Sequence, residues 1–183
     1  MNFENLKQLD YDISYKISNI INSTSPIRKF FQIITITGTA FFWFIAIPIW
    51  YYLFNGGDEA ITFGFTTFLM LIPVFILKQS IRRSRPDFKD TSFGAVIFDE
   101  WSFPSGHATR STYVVILMAF YMPEFIIFWI FWALLMIFSR LILGVHYVSD
   151  IVAGILLSTL SMIILHYIGW IPTIPLDISS KLP

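Results

Sequence analysis

A histidine and an aspartate stand four residues apart in the segment SRLILGVHYVSD, residues 139–150. If the chain is helical from His146 onward, His146 and Asp150 lie on one face, and the carboxylate can accept the Nδ1 proton. Nε2 is then left as a nucleophile. Arg140, in the same segment, adds a positive charge. These residue types predict a nucleophilic histidine with an orienting carboxylate, next to a cation that attracts anions.

A second polar cluster, PSGH at residues 104–107, directly precedes an apolar segment. Ser105 is a favourable N-cap, and Gly106 allows the backbone to approach a ligand closely. The exposed amides at a helix start attract anions, so the cluster predicts a phosphate cradle with His107 beside it. Considered alone, ordinary helix capping and a surface histidine explain the same residues better.

The third cluster is KQSIRRSRP, residues 78–86, at the end of an apolar segment. Basic residues at a membrane border are commonly topology signals or anchors for lipid headgroups. For Arg82 and Arg83 that interpretation and a role in the site are equally consistent with the sequence. Lys78 and Arg85 are candidates for anion binding.

The rest of the chain is unusually apolar, with 56% of its 183 residues hydrophobic and 13% charged. This composition is typical of integral membrane proteins. Five apolar segments predict spanning helices, since about 20 helical residues cross a hydrocarbon core: 30–54, 60–77, 111–121, 125–138 and 151–171. We expect a kink at Pro48 in the first of these helices. The absence of cysteine excludes disulfides and thiolate metal sites.

The first 22 residues carry apolar side chains at helical spacing, interrupted by charges. This pattern predicts an amphipathic helix at the membrane interface, although a helix packed as ordinary core fits equally well. The predicted fold is therefore an all-α integral membrane bundle, residues 1–183 as one domain, with five transmembrane helices and one amphipathic helix. With five spans, all three polar clusters lie on one face of the membrane.

Together the clusters resemble the type 2 phosphatidic acid phosphatase family, which is related in fold to vanadium-dependent haloperoxidases and the glucose-6-phosphatase group. The family pattern is Lys, six residues, Arg-Pro; Pro-Ser-Gly-His; and Ser-Arg, five residues, His, three residues, Asp. This chain matches it at Lys78, Arg85-Pro86, 104–107, Ser139-Arg140, His146 and Asp150.

The resemblance implies His146 as the nucleophile that takes the phosphoryl group, Asp150 as its orienting partner and His107 as the acid for the leaving oxygen. It implies a phosphate-binding role for a further set: Lys78, Arg85, Ser105, Gly106 and Arg140. These donors surround the equatorial oxygens, where charge collects in phosphoryl transfer. The resemblance also implies metal independence, and we expect neither a metal nor a cofactor, because no carboxylate cluster is spaced to bind Mg²⁺.

The expected function is hydrolysis of a membrane lipid phosphate or diphosphate through a phosphohistidine. Candidate substrates are lipid A 1-phosphate, undecaprenyl diphosphate, phosphatidylglycerophosphate and phosphatidic acid. A lipid-linked phosphotransferase would use the same residues, and a scaffold or transporter would explain the hydropathy but not the paired histidines. Membrane lipids are the expected partners, nucleic acid is not, and the oligomeric state is open.

Two arguments conflict on orientation. Positive-inside counting places the catalytic face in the cytoplasm. Bacterial members of the resembled family usually place theirs on the outer face of the plasma membrane, and we follow the resemblance. Outside the motifs, we interpret His166 as structural, Arg110 as facing the interface, and five further charged residues as solvated loop charges that are candidates only for substrate selection: Asp87, Lys89, Asp90, Asp99 and Glu100.

Overall fold

The chain is helical along most of the path described by the computed structural model, which covers residues 2–53, 57–88 and 100–171. Within these ranges there are seven α-helices and two 3-10 turns, and no β-strand. The helices are α1 (Phe3–Ser18), α2 (Pro26–Ile34), α3 (Ala40–Leu53), α4 (Gly57–Ile81), α5 (Gly106–Tyr121), α6 (Ile126–Ile142) and α7 (Val148–Tyr167). The all-α prediction is confirmed.

Three helical segments are long and apolar enough to cross a membrane: Gly57–Ile81, Pro123–Ile142 and Val148–Tyr167. A fourth is present if Pro26–Gly38 and Ala40–Leu53 form one bent span. Large apolar side chains such as Phe41, Ile127 and Ile164 are 73%, 81% and 61% exposed, as expected for surfaces that face lipid. The protein is a multi-pass membrane protein. The predicted count of five spans is not confirmed, because α5 has 16 residues, fewer than the about 20 that a full span needs.

The first apolar segment bends between α2 and α3 rather than at Pro48, which lies inside α3. A 3-10 turn, Thr35–Gly38, follows α2, and the two halves meet at 59°. Thr39 accounts for the position of the bend. Its hydroxyl donates to the Ile36 carbonyl at 2.7 Å and accepts from the Phe42 amide at 3.2 Å, so it ends one helix and begins the next. This break splits the predicted first span into two helices.

The N-terminal segment is helical, as predicted, and α1 packs against α6 and α7. Its serines Ser14 and Ser18 are buried, whereas Leu6 and Leu9 are 44% and 48% exposed. The helix is therefore joined to the bundle by a polar face. Its position at the membrane interface stays a prediction, as does the extent of the single domain.

Helix α5 packs against both α6 and α7. A Cβ added at Gly154 in α7 would lie 2.7 Å from the Ser105 carbonyl oxygen and 3.1 Å from Ala108 Cβ. Only glycine lets the start of α5 come this near to α7.

We expect Gly154→Ala to lower the melting temperature of the detergent-solubilised protein, because the new methyl group meets main-chain atoms that cannot move aside. The cost should fall within about 1–3 kcal/mol, typical of overpacked sites. Gly64→Ala is the matched control, since its Cβ would meet only Ile47 Cγ2, at 3.4 Å. Equal melting temperatures for the two variants would contradict this account of the α5–α7 contact.

Candidate active site

His146 lies in the short connection between α6 and α7, and only 1% of it is exposed. The connection reverses direction at Gly144, whose φ of +63° is left-handed. A Cβ there would also lie 2.9 Å from the Phe88 ring. The Val145 amide donates to the Arg140 carbonyl at 3.1 Å, so the reversal is tied back onto the end of α6. A local chain reversal thus places His146 within the protein at the end of the bundle.

The two ring nitrogens of His146 face groups of opposite charge. Nε2 is 3.4 Å from Arg85 Nη1, and Nδ1 is 3.5 Å from Asp150 Oδ2. A guanidinium can only donate, so Nε2 accepts in this arrangement and Nδ1 carries the proton toward the carboxylate. Both distances are long for hydrogen bonds. His146 and Asp150 lie side by side, although α7 begins only at Val148. Nδ1 makes no hydrogen bond within the described residues, so the predicted bond to the carboxylate stays a prediction.

Burial lowers the pKa of His146 well below its ordinary value, and the positive charges of Arg85, Arg140 and Lys78 lower that pKa further. Desolvation and neighbouring cations both disfavour the imidazolium. His146 is therefore neutral near neutral pH, with a lone pair available on Nε2.

The three predicted phosphate-binding cations surround this ring from different elements. Arg85 Nη1 donates to the Val145 carbonyl at 2.8 Å, Lys78 Nζ to the Trp101 carbonyl at 2.6 Å, and Arg140 Nη1 to Thr35 Oγ1 at 3.0 Å. Lys78, Arg85 and Arg140 are 7%, 8% and 1% exposed. The main chain and a hydroxyl hold these charges in place, which is the arrangement that fixed anion-binding donors require.

The PSGH cluster forms the start of α5, as predicted. Ser105 is the N-cap, with its hydroxyl 3.4 Å from the Ala108 amide, and Gly106 is the first helical residue. The Ser105 amide donates to the Asp150 carbonyl at 3.0 Å, and this bond joins the start of α5 to the first turn of α7. The first amides of α5 therefore lie at the same end of the bundle as His146.

His107 is held by the 3-10 turn that follows α2. Its Nε2 lies 3.1 Å from the Thr35 carbonyl oxygen, and a Cβ added at Gly38 would be 2.6 Å from its ring. The His107 side chain lies within electrostatic range of Arg140 and His146. Both predicted catalytic histidines and all three predicted cations thus meet in one cluster.

Two arginines have positions that the sequence interpretation missed. Arg110 was expected to face the interface, but it is 7% exposed and donates to the Gly38 carbonyl at 2.7 Å, which steadies the turn beside His107. Its place one helical turn after His107 is the signal that could have identified it. For Arg83 the sequence left a headgroup anchor and a role in the site equally open, and its side chain forms ion pairs with Asp10 and Asp150. No local sequence pattern predicts these two ion pairs.

The remaining polar residues lie outside this cluster or outside the described ranges. Asp87 is exposed and accepts from the Tyr11 hydroxyl at 3.2 Å, and Glu100 is exposed. The predictions for Lys89, Asp90 and Asp99 concern residues that are not described. His166 lies in the last turn of α7, away from the cluster. Among the described residues no group of three or more histidines and carboxylates is placed to hold a metal ion, and metal independence stays a prediction.

Curated relatives of this chain are lipid phosphatases. Decaprenylphosphoryl-5-phosphoribose phosphatase of Mycolicibacterium smegmatis is 32% identical over 100 residues, which cover 50% of this chain and 49% of that protein. Lipid A 1-phosphatase of Rhizobium etli is 35% identical over 88 residues, covering 44% and 37%. The chain spans about half the length, or less, of these two relatives.

The fold matches two solved membrane proteins over nearly the whole chain. For the transmembrane PAP2-type phosphatidylglycerolphosphate phosphatase of Bacillus subtilis, the TM-score is 0.68 at 24% identity, covering 92% of this chain and 88% of that one. For LpxE of Aquifex aeolicus, the TM-score is 0.70 at 19% identity, covering 87% and 95%. At these identities the likeness concerns the fold alone.

The sequence model of the PAP2 superfamily matches residues 59–173, more than half of the chain. The matched range includes all three clusters, from Lys78 to Asp150, that gather around His146. The resemblance inferred from motif spacing is therefore confirmed, and the chain belongs to the PAP2 superfamily.

Proposed function

We propose that this protein is a membrane phosphatase that hydrolyses the phosphate of a lipid phosphate or the terminal phosphate of a lipid diphosphate. The observation that carries the proposal is the environment of His146, a neutral buried imidazole with Nε2 toward Arg85 and Nδ1 toward Asp150. The relatives named as lipid phosphatases and the family membership support the same function.

In the proposed first step, the Nε2 lone pair of His146 attacks phosphorus. The P–N bond forms as the bond from phosphorus to the lipid oxygen breaks, and that oxygen leaves with the electron pair. Lys78, Arg85 and Arg140, with the first amides of α5, stabilise the negative charge on the equatorial oxygens. Asp150 stabilises the positive charge that develops on the imidazole.

His107 is the proposed acid of this step and the base of the next. Its proton moves to the leaving lipid oxygen, so that an alcohol rather than an alkoxide departs. The Thr35 carbonyl, 3.1 Å from Nε2, can only accept, so Nε2 carries a proton even in the neutral ring. Burial and the positive charges of Arg140 and Arg110 lower the pKa of His107, so the charged form that this role needs depends on the negative phosphate of the bound substrate. Water then attacks the phosphohistidine, His107 takes a proton from it, and inorganic phosphate leaves as His146 recovers its lone pair.

The proposed substrates carry a phosphate at the membrane surface and apolar chains within the bilayer. Relatives act on decaprenylphosphoryl-5-phosphoribose and on lipid A, as their names state. The exposed apolar surfaces of the helices and the buried cations of the cluster suit such molecules, and the four candidates are lipid A 1-phosphate, undecaprenyl diphosphate, phosphatidylglycerophosphate and phosphatidic acid. We propose a bacterial plasma membrane location with the site on the outer face.

We expect His146→Ala to abolish phosphate release from a panel of these lipids in detergent with chelator present, by at least about a thousandfold, because the nucleophile is lost. His166→Ala is the matched control and should retain wild-type activity. Size-exclusion chromatography reports whether each variant is folded. Phosphate release by folded His146→Ala would rule out the mechanism, and a phosphorylated alcohol in place of free phosphate would identify a phosphotransferase.

The lowered pKa of His146 predicts where activity is lost in acid. A neutral imidazole is required for attack, so kcat/KM should stay constant as pH falls and decline only below pH 6.5, the ordinary value for histidine. Initial rates are measured against pH with two substrates whose phosphate groups differ in pKa. A decline of kcat/KM at low pH that comes from the enzyme, its acid limb, falls at the same pH for both substrates, whereas a decline that comes from the substrate's phosphate does not. An acid limb that is common to both substrates and lies above pH 6.5 would contradict the assignment of His146 as the neutral nucleophile.

The cations predict tight binding of a tetrahedral oxyanion, for which orthovanadate is a suitable probe. We expect Lys78→Gln to weaken orthovanadate binding at least about tenfold in calorimetry, the cost of one charge-assisted hydrogen bond. Lys29→Gln, an exposed lysine on α2, is the matched control and should bind as the wild type does. Equal affinities for the two variants would exclude Lys78 from the anion site.

A further inference from the structure

Arg83 connects the N-terminal helix to the carboxylate beside His146. Its Nη1 lies 2.7 Å from Asp150 Oδ1 and 2.6 Å from Ser149 Oγ, while its Nη2 lies 2.9 Å from Asp10 Oδ2. The guanidinium carbon is 3.9 Å from the centre of the Tyr147 ring. The Arg83 guanidinium thus binds α7 through Nη1 and α1 through Nη2.

Asp150 depends on Arg83 for its orientation. The carboxylate is 0% exposed, and its Oδ2 accepts from the Tyr147 amide at 2.9 Å while lying 3.5 Å from His146 Nδ1. Arg83 holds the other oxygen, so the two bonds together prevent rotation of the carboxylate. Without Arg83, Oδ1 loses its ion pair in a buried setting, and the neutral Tyr147 amide and Ser102 hydroxyl remain as weaker restraints on the carboxylate.

Asp10 and Ser14 of α1 bind the start of α7 directly. The Ser149 amide donates to Asp10 Oδ1 and the Val148 amide to Ser14 Oγ, each at 3.0 Å. Ser149 Oγ also donates to Asp10 Oδ2. These are first-turn amides, which have no acceptor within their own helix. A face of α1 therefore acts as a cap for the helix that carries Asp150, and the same Asp10 holds the second branch of Arg83.

We infer that Arg83, held by Asp10 of the N-terminal helix, is a positioning residue that fixes the Asp150 carboxylate against His146. The inference rests on the proposed phosphatase function. Arg83 is not among the groups that lie against the Nε2 side of His146, so its removal should affect the chemical step rather than phosphate binding.

The charges around the His146 imidazole predict in which direction its pKa should change when Arg83 is replaced. Lys78 of α4, Arg85 after it, Arg140 of α6 and His107 of α5 all face His146, and Asp150 is the negative group. Arg83 offsets part of the Asp150 charge, and Asp10 offsets part of Arg83. Replacing Arg83 by a neutral residue leaves the Asp150 charge uncompensated, which favours the imidazolium and moves the acid limb of kcat/KM to higher pH.

Arg83→Gln is the first variant to test, with Arg82→Gln as its matched control. Arg82 is the neighbouring arginine, exposed, with its Nε bonded to the Gln79 carbonyl of its own helix. We expect kcat of Arg83→Gln to fall about 10- to 100-fold, the range for orienting partners of a catalytic group, with KM within about twofold. The acid limb should move upward in pH. Arg82→Gln should match the wild type in all three quantities.

Two further variants separate orientation from charge. Arg83→Lys keeps the charge but cannot span both carboxylates, so its acid limb should stay in place while kcat falls to an intermediate value. Asp10→Asn should lower kcat several-fold at constant KM, because Arg83 loses its ion pair with Asp10. If Arg83→Gln does not fold, Asp10→Asn and Arg83→Lys still test whether Arg83 is a positioning residue.

The inference is overturned if these variants keep wild-type kcat, if the loss in Arg83→Gln lies in KM, or if its acid limb does not move. Wild-type protein that releases no phosphate from any lipid in the panel would instead refute the proposed function itself.

Discussion

A buried carboxylate must be paired, and in this protein that requirement joins the polar clusters to one another. Asp150 has no exposed side-chain surface and takes an ion pair from Arg83 and a hydrogen bond from the Tyr147 amide. Its own carbonyl accepts from Ser105 at the start of α5. Three segments that are distant in sequence therefore meet at one residue, and His146 lies against the side of the carboxylate that remains.

Several groups of the site lie at, or contact, a place where a helix ends or is interrupted. His107 contacts the 3-10 turn after α2, His146 lies in the connection before α7, and Arg85 follows the end of α4. Irregular backbone at a membrane is tolerated where it is covered by protein, since its carbonyls need donors. Here buried cations supply them: Arg110 donates to Gly38, and Arg85 to Val145. Buried cations therefore serve two purposes: they attract an anion, and they stabilise the helix interruptions that bring the site residues together.

Local patterns in the sequence were sufficient for much of this arrangement. Four-residue spacing predicted that His146 and Asp150 lie close together, although His146 precedes α7 and the connection before that helix brings the two side by side. Ser105 was recognisable as a cap because capping involves only neighbouring residues. The bend beside Thr39 was not predicted; the expectation concerned Pro48, which lies inside α3. The role of Arg83 could not be decided from the sequence, because its partners Asp10 and Asp150 lie 73 and 67 residues away along the chain.

The amino-acid sequence was enough to establish a helical membrane protein, its family and the residue types that gather around a phosphate, because hydropathy and short motifs act over one or two helical turns. Folding in three dimensions determined which cations touch which carbonyls, that Thr35 lies between His107 and Arg140, and that α1 contacts the start of α7. The contacts of Thr35 and of α1 join residues separated by 72 to 134 positions. No local preference specifies them, and only the packing of whole helices brings them within reach.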